Sequence, residues 1–158
     1  MTVTTHTADW ASALAKDVRS AKDTITITTM SMLPPRRLVI SAFCDLWAAM
    51  IEAAQRHVAI NAIMPEPHLS HPATLRNDSA ARAIAELGGT TILLPTKNLL
   101  HAKTCLIDKS IAWIGSGNWT QAAAAHNFEI YLRCEDPIAA MDLAGFHQKL
   151  ALLNGRII

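Results

Sequence analysis

His101-Ala-Lys103-Thr-Cys-Leu-Ile-Asp108-Lys-Ser-Ile-Ala-Trp-Ile-Gly115-Ser116-Gly117-Asn118 places an imidazole, an ammonium, a carboxylate and a Gly/Ser/Asn turn within eighteen residues. His101 and Lys103 are two apart, and on an extended strand such residues share a face. Beyond Asp108 and Lys109 the chain turns and continues through Ile111, Trp113 and Ile114, so the stretch reads as a β-hairpin. Its outer ends, His101/Lys103 and Ser116/Asn118, are expected to lie side by side. Asp108 is expected to cap the hairpin turn with Lys109 and Ser110, and it is also grouped with the catalytic candidates. A nucleophile or base, a fixed cation and a polar turn are the parts that phosphate ester chemistry requires.

The flanking sequence places this hairpin in an α/β chain. Trp10, Leu14, Asp17, Val18 and Ala21 follow helical spacing, with Asp9 as candidate cap. Thr24 to Met30 is a strand with its isoleucines on one face, and Val58 to Met64 and Thr90 to Leu94 are two more. Helices are expected from Ser41 or Asp45 to Arg56 and from Asn77 or Asp78 to Leu87, where Gly88-Gly89 stops the second. A short alanine-rich helix follows Asn118. Asn127 to Cys134 is a strand carrying Glu129, Tyr131 and Arg133 on one face, and Pro137 opens a last helix. Residues 1–8 read as a loose arm, while 33–44 and 65–77 read as loops. The alternation predicts one domain over 1–158 with a mixed, mainly parallel sheet and helices on both faces.

Composition narrows the function classes. The 158 residues are 51% hydrophobic and 17% charged, which suits a globular chain with a substantial core. With 14 basic and 13 acidic residues the net charge is +1, so contact with a polyanion must come from a local patch. No apolar run is long enough for a membrane helix, and Met1 to Asp9 lacks an apolar signal core. A soluble, cytoplasmic protein is expected, or a periplasmic or secreted one if a signal was removed. Cys44, Cys105 and Cys134 are too few and too scattered for a disulfide framework or a metal site. His68-Leu-Ser-His71 beside Glu66 lacks the ligand number of a zinc site. No cofactor or metal is expected.

His101-x-Lys103-x4-Asp108 followed by Gly115-Ser116-x-Asn118 resembles the signature of the phospholipase D superfamily. Thr120-x-Ala122-Ala123 and Asn127-x-Glu129 extend the likeness, which most resembles the short bacterial endonucleases with one motif per chain. The stretch from Pro34 to Cys44 is longer than the connection expected there. The resemblance implies an α/β/α sandwich and metal-independent phosphodiester chemistry. Lys103, Ser116 and Asn118 would bind phosphate oxygens, helped by the helix starting near Trp119. His101 would attack phosphorus and form a phosphohistidine intermediate, with Glu129 accepting a hydrogen bond from its other nitrogen. The leaving oxygen needs a proton, hence a second histidine. With one motif per chain, a C2 homodimer would supply it, the partner's His101 acting as general acid; a monomer would need His68 or His71. DNA is the expected substrate, phospholipid the alternative, and a non-enzymatic phosphate-binding module the third reading. Arg36, Arg37, Lys97 and Trp119 are candidate rim residues, Trp119 by stacking a base or by packing in the core.

Overall fold

The apolar stripes of the helices and the pleats of the strands meet in one eight-stranded sheet. The structure is a computed structural model that describes residues 1–35 and 41–158. In chain order the elements are β1 (Thr2–His6), α1 (Trp10–Ser20), β2 (Thr24–Thr28), α2 (Ala42–Gln55), β3 (Ala59–Pro65), a 3-10 turn (Pro72–Thr74), α3 (Asn77–Glu86), β4 (Thr90–Leu94), β5 (Lys103–Ile107), β6 (Ile111–Gly115), α4 (Gln121–Ala125), β7 (Tyr131–Glu135), α5 (Pro137–Ala151) and β8 (Arg156–Ile157). The strand order is β1-β7-β6-β5-β2-β3-β4-β8.

The sheet is mixed and flanked by helices on both faces, as expected, but its expected parallel majority is absent. β2–β3 and β3–β4 are parallel, whereas β1–β7, β7–β6, β6–β5, β5–β2 and β4–β8 are antiparallel. The reason lies in the connections. Parallel neighbours need a crossover, and here α2 and α3 supply the two between paired strands. The turn after β5 permits only antiparallel pairing. Asp108 (φ 50°) and Lys109 (φ 52°) are both left-handed, and Ser110 N–H donates to Ile107 O at 3.0 Å, as in a type I′ turn.

The loose arm expected over residues 1–8 is instead a strand. Thr2 to His6 pairs with β7 in the register Thr4↔Arg133. Its β-branched side chains suit an edge position, but only the open edge of β7 gives it a partner.

One face of the sheet carries the main core. Trp10, Leu14 and Val18 of α1 pack with Phe43, Leu46 and Met50 of α2, with Ala80 and Ile84 of α3, and over Ile25, Ile27, Ile60 and Trp113 of the sheet. Ser41 caps α2 by accepting a hydrogen bond from Cys44 N–H. The Asp17 carboxylate ties α1 to the strands: it accepts from Trp113 Nε1 at 2.8 Å and from Arg133 Nε at 2.6 Å. The other face is covered by α5, whose Ala140, Leu143, Phe146 and Leu150 pack over Leu106, Ala112, Ile63 and Leu94.

His147, also on α5, is 5% exposed. Burial pushes its imidazole from 6.5 down to about 4. The unfolded chain therefore takes up this proton near pH 6.5 and the folded chain only near pH 4. Acidification across that window favours unfolding, by about 3 kcal/mol in all. Urea midpoints at pH 7 and pH 4.5 are expected to differ more for the wild type than for His147→Phe; equal differences would show that the buried imidazole does not cause the acid sensitivity.

Candidate active site

The hairpin brings its two outer ends together, as its sequence predicts. Lys103 pairs with Gly115 at the last position of the β5–β6 ladder. His101 lies two residues before β5 and is exposed, while Lys103 beneath it is only 4% exposed. The Lys103 Nζ is 3.0 Å from His101 Nδ1 and 3.2 Å from Nε2. A neutral imidazole offers one lone pair, so the ammonium bonds at most one nitrogen and acts on the ring mainly as a neighbouring charge. Burial pushes the Lys103 ammonium below its ordinary range, and the Glu129 carboxylate pulls it partly back. This is a cation that is poorly solvated and ready to be neutralised by an entering anion.

The Gly/Ser/Asn turn is held from two sides. Tyr131 lies beneath it: a Cβ at Gly115 would overlap the Tyr131 ring, and the Tyr131 hydroxyl donates to Gly117 O. Ser116 exchanges backbone and side-chain bonds with Ile130 at 3.1 Å each, and its hydroxyl donates to Glu129 Oε2 at 2.5 Å. On the other side the single hydroxyl proton of Thr29, just beyond β2, is shared between Ser31 O at 3.0 Å and Asn118 Oδ1 at 3.3 Å. The Asn118 amide oxygen faces Thr29, so its NH2 is the end directed away from that contact and suited to an anion. Thr29 and Tyr131 were not among the candidates. Both are ordinary residues of strand ends whose role comes from neighbours distant in the chain.

Three expectations are corrected here, and the open alternative for Trp119 is decided. Asp108 does not join His101. It sits at the far end of β5, about 17 Å along a five-residue strand. Its carboxylate accepts backbone N–H bonds from Lys22 (2.8 Å), Asp23 (2.8 Å) and Thr24 (3.0 Å), so it fastens the α1–β2 connection rather than its own turn. Partial burial raises the Asp108 pKa, but the three backbone donors prevail and hold it below the ordinary carboxylate range. Glu129 does not bond His101 either; its second oxygen accepts from Asn127 Nδ2 at 3.0 Å. Trp119 is fully buried in the core and cannot stack a base. The helix after the turn starts at Gln121 and has five residues, and Thr120 Oγ1 accepts from Ala123 N–H, so it contributes no anion site at Asn118.

The candidate rim is partly legible. Arg36 and Arg37 lie outside the described residues. Lys97 lines a groove of about 490 Å³ that includes His101. Otherwise this groove is largely apolar, with Leu94, Leu99, Leu100, Phe146 and Leu150. A second groove of about 520 Å³ reaches Thr120, two residues past Asn118, and carries Arg76, Gln121 and His126. His68 and His71 stay in the β3–α3 connection, where Ser70 N–H donates to His68 Nδ1 at 3.2 Å.

Residues 14–151 match the protein family described as "Cardiolipin synthase, PLD-like domain". The chain belongs to the PLD-like family. Cardiolipin synthase A of Buchnera aphidicola subsp. Baizongia pistaciae is 32% identical over 139 residues, covering 87% of this chain and 26% of that protein. The PLD-like chain thus spans about a quarter of the length of the curated relatives it matches. Among solved structures, Nuc from Salmonella typhimurium, a phospholipase D family member, superposes with a TM-score of 0.79 at 22% identity, covering 99% of this chain and 97% of that one. NucT from Helicobacter pylori follows with a TM-score of 0.72 at 18% identity, covering 95% of each. These two likenesses establish the PLD-like fold and nothing finer. No helix among the described residues is long and apolar enough to cross a membrane.

Proposed function

We propose that this PLD-like chain is a metal-independent phosphodiesterase that cleaves nucleic acid, DNA foremost, through a phosphohistidine on His101. The observation that carries the reading is the pairing of an exposed His101 with a buried Lys103 ammonium about 3 Å from its ring. Lys103 and the Asn118 amide are suited to draw in a phosphodiester and to stabilise the charge that grows at its oxygens. One imidazole nitrogen attacks phosphorus, the leaving oxygen departs with a proton, and water then releases the phosphoryl group. A second copy supplies the proton from the partner's His101, and the active species is a C2 dimer. Lys97 in the groove at His101 and Arg76 in the groove that reaches Thr120 are cations suited to a polymer with flanking phosphates.

A second reading, hydrolysis or transfer on a phospholipid, is favoured by the apolar lining of the groove at His101 and by relatives named as cardiolipin synthases. One preparation decides between them. Plasmid DNA and phospholipid vesicles are each incubated with the pure protein in excess EDTA. Cleavage of DNA without release of lipid headgroup is expected, and headgroup release with intact DNA would establish the second reading. Light scattering on the same sample is expected to give twice the mass of one chain. A fully active monomer would overturn the paired-histidine mechanism.

A further inference from the structure

The β2–β5 ladder ends at the pair Thr28↔Thr104, so the backbone that carries His101 lies beyond its last rung. What holds this backbone is a buried chain of side-chain hydrogen bonds. Thr28 Oγ1 donates to Ala102 O at 3.4 Å, and Ala102 stands between His101 and Lys103. Thr28 Oγ1 and Thr104 Oγ1 are 2.8 Å apart, and Thr104 Oγ1 is 2.9 Å from His147 Nε2. Thr28, Thr104 and His147 are each no more than 5% exposed, so water cannot substitute for a missing link.

The direction of the chain follows from its end point. A carbonyl only accepts, so Thr28 donates to Ala102. Its oxygen is then satisfied by the Thr104 proton, and the Thr104 oxygen by an N–H on His147 Nε2. This assigns the Nε2–H tautomer and leaves Nδ1 as a bare lone pair. That agrees with Nδ1 being buried without a partner among the described residues.

We propose that His147 is a positioning residue of the active site: from α5 it orders the Thr104 and Thr28 hydroxyls, so that Thr28 holds the Ala102 carbonyl and thereby sets His101 against the phosphate. The proposal rests on the reading of His101 as nucleophile. His147 touches no substrate and exchanges no proton with it. α5, on the face opposite the main core, thereby becomes part of the catalytic apparatus.

The test uses kinetics on bis(p-nitrophenyl) phosphate. His147→Phe keeps the ring and removes the donor; kcat is expected to fall about ten- to a hundredfold, since small misplacements of a reacting group cost that much. KM is expected to stay within about twofold, because binding by Lys103 and Asn118 is untouched. His147→Gln can place an N–H near the Nε2 position and is expected to recover most of kcat. Thr104→Val is expected to reproduce the Phe defect, and the double variant to be no slower than either single one. A kcat within about twofold of wild type in His147→Phe, a Gln variant as slow as Phe, or additive defects would each overturn the proposal. If His147→Phe does not fold, nitrogen-15 NMR of the wild type decides: a neutral Nε2–H tautomer at pH 7 is expected, and an Nδ1–H tautomer refutes the chain. His101→Asn is run beside these variants. Activity in that protein would refute the nucleophile itself, and an inactive His101→Asn with an active His147→Phe would refute only the positioning role.

Discussion

His101→Asn is expected to lower phosphodiester turnover by at least about 10⁴-fold while leaving the thermal midpoint unchanged. Asparagine offers no nucleophilic nitrogen, so neither the covalent intermediate nor the proton for the leaving oxygen can form. The fold is indifferent because the imidazole is exposed and precedes the strand. Mixing sharpens the result. If subunits reassort freely, dimers with two intact histidines form in proportion to the square of the wild-type fraction, and activity is expected to follow that square. A linear dependence would mean that each chain works alone, and an active His101→Asn protein would refute the mechanism altogether.

Asn77→Ala is the stability change with the largest expected cost, about 4 kcal/mol. Asn77 is fully buried at the start of α3. Its amide nitrogen donates to Met30 O at 3.0 Å and to Pro65 O at 2.9 Å, and its oxygen accepts from Met32 N–H at 3.2 Å. One side chain thus satisfies three backbone groups where the ends of β2 and β3 diverge. Removing it strands them away from water, at about 1–3 kcal/mol each. Asn77→Asp is expected to fare little better, because a carboxylate cannot donate to two carbonyls. Urea denaturation measures both, and a loss below about 1 kcal/mol for Asn77→Ala would refute the stapling role. Turnover is expected to suffer as well, since the Met30–Ser31 segment lies beside Thr29, which holds Asn118.

The local elements are legible from periodicity because their causes are local. Leu14 and Val18 of α1, the isoleucines of β2 and the Gly88 stop of α3 depend on residues a few positions away. The same holds for the meeting of His101 with Lys103 and of β5 with β6, since a tight turn decides both. Orientation of the sheet was less legible. β5 follows β4 in the chain but pairs antiparallel with β2, and with the β1–β7, β7–β6, β6–β5 and β4–β8 pairs this makes antiparallel neighbours the majority.

Residues with interchangeable chemistry were the ones misplaced. A carboxylate at Asp108 looks like a catalytic group or a turn cap from its neighbours. It is neither, because the N–H groups that need it belong to Lys22, Asp23 and Thr24, more than eighty positions away. For Trp119 the sequence leaves base stacking and core packing both open, and the core claims its whole side chain. Thr28, Thr104 and His147 carry no sequence signal; they become a chain of hydrogen bonds only when α5 lies across the sheet.

Spacing along the chain was enough for the chemistry on offer: a histidine and a lysine two apart on a strand, closed by a Gly/Ser/Asn turn. Those relations span a few bonds, so the backbone geometry of strand and hairpin dictates them. Packing alone decided that Asp108 serves the scaffold, that Trp119 lies in the core and that Thr28, Thr104 and His147 meet beside Ala102. Those outcomes depend on contacts between segments far apart in sequence, and a buried polar group takes whichever partner the fold brings to it.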